Sequence, residues 1–292
     1  ITAVMMVLEI AGGWWFNSMA LLADGWHMSS HVVAIGLSAL AYATARRYAS
    51  DPRFAFGTWK IEVLAGFASA IFLLGVAAMM AIGSVERLLS PQPIRYREAI
   101  ALAVLGLAVN LVCALILGRV HHHDHDDHGH GHAHHHGHSH GDGGAVAHED
   151  LNLRSAYLHV ITDAATSVLA IVALAGGWFF GWGWLDPVTG LVGAVVVAAW
   201  ARGLVVDTAK VLLDREMDHP VVQEVREAIE SDGGRTRVTD LHVWRIGQRV
   251  YACALTAVTA DDTLTPDGLR QRLAVHEEIV HATIELHRAA PA

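Results

Sequence analysis

Apolar residues in this chain come in long runs rather than in alternating or three-and-four spacing. Six runs suggest bilayer crossings, for which a helix needs about 20 apolar residues. They cover residues 1–16, 20–45, 61–89, 99–120, 153–178 and 186–213. The first is apolar apart from Glu9 and too short to cross, so its helix is expected to begin before Ile1. Polar or breaking residues separate the runs: Asn17-Ser18, the stretch from Arg46 to Lys60, and Ser90-Pro91-Gln92-Pro93. A Gly/Trp-rich bend, GGWFFGWGW, joins the last two, and indole rings suit a membrane–water boundary.

After Leu213 the pattern changes to that of a small soluble domain. Asp218-His219-Pro220 predicts a helix start, with the helix over 221–231. Residues 236–246 and 250–259 alternate and are rich in β-branched residues, which predicts two strands around a turn at Gly247-Gln248. Thr265-Pro266 opens a second helix expected to reach about Val280, and residues 282–287 close as a strand. The fold class is an α-helical polytopic membrane protein with six transmembrane helices and a small cytoplasmic α+β domain of order αββαβ. The boundary is placed between 213 and 214, giving domains 1–213 and 214–292. A loop over 121–148 interrupts the first.

Composition agrees. The chain is 53% hydrophobic and 17% charged, against about 25% charged in a soluble globule. A net charge of −9 argues against a nucleic-acid partner. Cys113 and Cys253 supply neither a disulfide framework nor a thiolate cage. The opening run lacks the basic start of a cleavable signal peptide. Arg46, Arg47, Arg53, Lys60, Arg119, Arg202, Lys210 and Arg215 would share one side of the bilayer, and Arg87, Arg95 and Arg97 the other. That bias predicts cytoplasmic termini, in what is read as a bacterial inner (plasma) membrane.

Twenty-one histidines stand out. Twelve fall within residues 121–140: His121, His122, His123, His125, His128, His130, His132, His134, His135, His136, His138 and His140. With Gly, Ala, Ser and Asp between them they build no core, and disorder is expected there. The position, between two spans, fits a metal-collecting cytoplasmic loop better than a purification tag.

The apolar runs hold a second, sparser set. His27 and His31 lie four apart in the second run, His159 and Asp163 four apart in the fifth. On a helix such pairs share a face, about 6 Å apart. Two such helices facing each other would surround one point with three imidazoles and a carboxylate. That donor set suits Co²⁺, Ni²⁺ or Zn²⁺; it disfavours Cu(I), which wants sulfur, and Mg²⁺, which wants an oxygen cage. The ion would be cargo, and no cofactor is expected. Asp24 shares the face of His27 and could accept an imidazole N–H, relay protons or reach toward the interface. Asn110 is a second candidate for an outer hydrogen bond or for packing between helices. Glu9, Glu62, Glu86 and Arg87 lie near run ends, where solvated faces or ion pairs are expected. In the soluble part His242 sits on one strand face, and Glu285 and His287 share a face of another, a candidate regulatory metal site.

Several motifs together resemble the cation diffusion facilitators, a family of dimeric metal/proton antiporters. They are GG…SMALLADGWHM, FGTWKIEVLAG, the Asn110 position, YLHVITDAATS, DPVTGLVGAVVV, and LLD followed by DLHVW. The resemblance spans nearly the whole chain. It implies a metal site at His27, His31, His159 and Asp163, alternating access and a homodimer joined through the cytoplasmic domain. His31 stands where zinc-carrying members usually have Asp, and a His-x-x-x-His second span resembles the cobalt/nickel-efflux branch. The loop after the second span offers only Asp51, so no site is inferred there. A cytoplasmic site would be partial, at Glu285 and His287. Coupling follows from the ligands: metal needs neutral imidazoles and an ionised Asp163, so binding expels protons. Two rivals are weaker. No His-Glu-x-x-His motif appears, and four protein ligands leave no open position for a metalloenzyme. A non-transporting metal sensor would use the same site without moving its ion.

Overall fold

The computed structural model describes residues 2–120 and 164–289, and the side chains of all of these except Thr2, His31, Cys113, Ala114 and residues 116–120. The histidine-rich link, His159 and Asp163 lie outside the described residues. The apolar runs are helices: α1 Thr2–Phe16, α2 Met19–Arg47, α3 Trp59–Leu89, α4 Tyr96–Val120, α5 Ala164–Phe180 and α6 Leu185–Leu212. Of these, α2, α3 and α6 are long and apolar enough to cross a membrane. At 1.5 Å per residue each exceeds about 40 Å, more than a hydrocarbon core of about 30 Å. The chain is an integral membrane protein.

Two compact units are distinguished: Ile1–Val33 with Phe72–Trp200, and Ala34–Ile71 with Ala201–Ala292. In the first unit the α1–α2, α3–α4 and α5–α6 connections meet at one end. Asn17 takes the left-handed conformation (φ 60°), which lets Ser18 N–H reach the Gly13 carbonyl at 2.9 Å and closes α1. Arg95 N–H donates to the Phe16 carbonyl (3.1 Å), and the Arg87 guanidinium donates to that of Asn17. A Cβ on Gly177 would meet the Tyr96 ring at 2.5 Å, so only glycine admits that close approach. The first turn of α2 has orphan N–H groups. Asp186 accepts from Met19 N (2.7 Å), Ala20 N (3.1 Å) and Ser18 Oγ (2.7 Å), a buried carboxylate on a positive helix end. Exposed Trp14, Trp15, Trp178, Phe179, Trp182 and Trp184 surround this end, as at a bilayer interface.

The second unit carries α7 Pro220–Ile229, β1 Thr236–Gly247, β2 Val250–Thr259, α8 Pro266–Leu273 and β3 Ile279–Arg288. Strand order is β1-β2-β3, with β1 antiparallel and β3 parallel to β2. The parallel pairing requires a crossover, which α8 supplies. Both helices start at proline behind a capping side chain: His219 Nδ1 accepts from Val221 N, and Thr265 Oγ1 from Gly268 N. Val221, Val225 and Ile229 form the buried stripe of α7, packed with Leu269 and Leu273 on Val243, Cys253 and Leu255. Burial pushes the Cys253 thiol up to about 11. The second helix stops at Leu273, not near Val280. Leu269 and Leu273 complete its buried face, and turns at His276 and Ile279 then lead into β3.

Asp232 ties this unit together. It accepts from Thr236 N (2.9 Å), Thr236 Oγ1 (2.5 Å) and both Arg272 terminal nitrogens (3.3 Å). Desolvation raises its pKa, but Thr236 and Arg272 together outweigh that and hold it below the usual carboxylate value. Its stabilisation is therefore present above the unfolded pKa, near 3.9, and lost as pH falls through the lower folded value. Asp232→Ala should cost about 1.5–3 kcal/mol at neutral pH. In unfolding of the detergent-solubilised chain, the gap from wild type should narrow below about pH 4.

Candidate metal site between α2 and α5

Within the first unit α2 and α5 run antiparallel and in contact. Ala20 packs with Ala170 and Ala173, Leu21 with Leu174. One turn along α2, Asp24 accepts from Thr166 Oγ1 (2.9 Å) and Ser167 Oγ (2.6 Å). As the α2 number rises, the α5 number falls. Asp24 is 2% exposed, so this tie is out of water. His27 follows one turn later and is half-buried between buried Met28 and the Asp24 turn. Ser30 Oγ donates to the His27 carbonyl (2.6 Å), and Ser29 Oγ to that of Trp26 (2.7 Å), so these hydroxyls bond back to their own helix. His31 is the next position of α2 on that face. Asn110 Nδ2 donates weakly to Met28 Sδ at 3.9 Å, a contact between α4 and α2 beside His27.

Glu9 is the residue the run pattern misplaces. It was expected on a solvated face or in an ion pair near a span end. It is 0% exposed, and among the described residues neither carboxylate oxygen has a hydrogen-bond partner. Its neighbours are glycines: a Cβ on Gly106 of α4 would overlap Oε1, and one on Gly25 of α2 would lie 3.1 Å from its own Cβ. The available signal was an acid inside an apolar segment, which by itself marks function.

The soluble unit brings its candidates together only in part. His242 Nε2 pairs with Asp240 (3.1 Å) on β1, and His287 Nε2 with Glu285 (3.0 Å) on β3. All four are exposed on one sheet face, but β2 lies between the pairs, with Thr256 opposite both Asp240 and Glu285. Two strand spacings, about 10 Å of backbone, separate the pairs. A different group is close-set: Glu224, His276 and Glu278 offer donor atoms within 4.8 Å of one another. His276 Nδ1 lies 3.9 Å from Glu224 and 3.5 Å from Glu278, bringing α7 next to the α8–β3 connection. Asp51 is held by Arg53 through Nε (3.0 Å) and Nη2 (2.6 Å), whose hydrogen bonds keep its carboxyl below the usual range. The same unit pairs Lys60 Nζ with Asp214 (2.6 Å), joining the start of α3 to the turn after α6.

Residues 1–213 match the family model described as the cation efflux transmembrane domain. The cadmium, cobalt and zinc/H(+)-K(+) antiporter of Bacillus subtilis is 29% identical over 291 residues, covering 98% of this chain and 85% of that protein. The metal cation efflux system protein CzcD of Cupriavidus metallidurans is 30% identical, covering 99% of this chain and 84% of its own length. The zinc transporter ZitB of Escherichia coli is 28% identical, with 98% and 84% covered. With the transmembrane family model matched over residues 1–213 and a relative 30% identical over 99% of the chain, the chain belongs to the cation efflux family, the cation diffusion facilitators.

Proposed function

We propose that this protein exports divalent transition-metal ions across a bacterial plasma membrane in exchange for protons, through His27, His31, His159 and Asp163. The observation that supports it most is the antiparallel tie of Asp24 to Thr166 and Ser167. Each contacting pair of numbers sums to 190 or a little more. Were the count to continue by one and two turns, it would pair His27 with Asp163 and His31 with His159. The donor set would then be three imidazoles and one carboxylate on facing helices.

Six spans in up-and-down order fit the gathering of three connections at one end, the cytoplasmic termini following from the arginine bias. The link over 121–140 collects metal on the cytoplasmic side, and the αββαβ unit joins two copies. His31 favours Co²⁺ and Ni²⁺, with Zn²⁺ close. A zinc-specific exporter is the second reading, favoured by likeness to a protein named as a zinc transporter.

The test is transport by the full chain in proteoliposomes loaded in turn with Co²⁺, Ni²⁺ and Zn²⁺. Acidifying the side to which metal is released should accelerate its movement, and collapsing the gradient should slow it. Metal movement indifferent to the gradient sinks the antiport reading; metal binding without movement leaves the sensor.

A further inference from the structure

Among the described residues of the membrane unit, three buried acids have different surroundings. Asp186 has three donors and serves as a cap. Asp24 takes two hydroxyls from α5. Glu9, fully buried, receives no hydrogen bond from the described residues at either oxygen. A structural acid in an apolar bundle is held by donors, because a bare buried charge without them is costly. Here two glycines, Gly25 of α2 and Gly106 of α4, instead leave room for the carboxyl group. Among the described residues, the Gly25 contact sets Glu9 beside the Asp24 turn of α2, and Gly106 brings no titratable group from α4. Glu9 and Asp24 are thus buried carboxyls at one level of neighbouring helices, an arrangement suited to passing a proton.

We infer that Glu9 is a proton-binding residue of the exchange cycle, set one turn to the outer side of His27 and trading its proton with Asp24. This rests on the antiport reading and on its orientation. With cytoplasmic termini, α2 starts at the outer surface, so a proton from outside meets the level of Glu9 and Asp24 before that of His27. In the transfer the O–H bond of Glu9 breaks as one forms on Asp24, and Glu9 is reloaded from the outer solvent. Metal release then follows as the proton moves on to the ligands. Glu9 itself touches no metal.

The test uses the full chain in proteoliposomes with Co²⁺ as the probe. Glu9→Gln preserves size and removes the titration. It should leave Co²⁺–Co²⁺ exchange without a gradient at the wild-type rate, while acceleration by a pH gradient falls by about tenfold or more. The infrared carbonyl band of an un-ionised carboxyl should be present in wild type and absent from the variant. A gradient-driven wild type matched by an equally gradient-driven Glu9→Gln overturns the inference alone. A wild type indifferent to the gradient overturns the antiport reading and takes this one with it. Should Glu9→Gln lose exchange as well, Glu9→Asp decides. A shifted pH midpoint for driven transport supports proton binding, and restored transport with an unmoved midpoint shows packing only.

Discussion

Asp163→Ala is expected to abolish metal export by the full chain in proteoliposomes, a fall of about 100-fold or more. In the proposed site Asp163 is the one anionic ligand beside three neutral imidazoles. A dication at mid-membrane depth keeps little of its hydration, and its charge must be met by the protein. Removing the carboxylate takes away a ligand and leaves the ion's charge uncompensated in low dielectric, where losing one partner of a buried pair typically costs about 3–5 kcal/mol. Asp163→Asn should fail almost as completely, because the amide keeps shape and an oxygen donor but not the charge. Direct titration with Co²⁺ should show the transmembrane equivalent lost, with binding by the histidines of 121–140 retained. Normal transport by Asp163→Ala overturns the site assignment.

What could be read from the chain follows from how local each signal is. The helices α2, α3 and α6 were legible because a bilayer imposes uninterrupted apolar runs, and each falls within a few residues of its run. The starts of α7 and α8 were legible because Pro220 and Pro266 sit at first-turn positions behind a capping residue. The end of α8 was not, because no Gly or Pro stands between Leu273 and the start of β3 at Ile279. The irregularity in β1 between Val238 and Asp240 was also hidden. It moves the buried positions from Thr236 and Val238 to Leu241 and Val243, placing His242 outward. The fate of Glu9 depends on glycines in two other helices, and the hydroxyl partners of Asp24 lie 142 and 143 residues away. Such pairings are made by packing, and no window along the chain contains them. The pairs His27/His31 and His159/Asp163 could be seen because each lies within one helical turn; that α2 meets α5 could not.

His31→Asp is expected to move preference from Co²⁺ and Ni²⁺ toward Zn²⁺ by about tenfold, equal to about 1.4 kcal/mol of differential binding. Exchanging an imidazole for a carboxylate changes donor chemistry and charge together: three nitrogens and one carboxylate become two and two. Zn²⁺ has no geometric preference from its d electrons and accepts a mixed nitrogen–oxygen tetrahedron readily. Ni²⁺ gains more from imidazole and from coordination beyond four. The added negative charge should strengthen capture of every dication, so the informative quantity is the ratio between metals in one preparation, not any single rate. Proton coupling changes too. An imidazole releases its proton near pH 6.5, whereas a carboxyl is already ionised well below that. Metal binding to His31→Asp should therefore release fewer protons near pH 6, and its driven transport should depend on a more acidic outer side. Competition between Co²⁺ and Zn²⁺ in proteoliposomes, with proton release measured in the same pH series, separates the two effects. An unchanged Co²⁺/Zn²⁺ ratio with unchanged proton release removes His31 from the metal's coordination sphere.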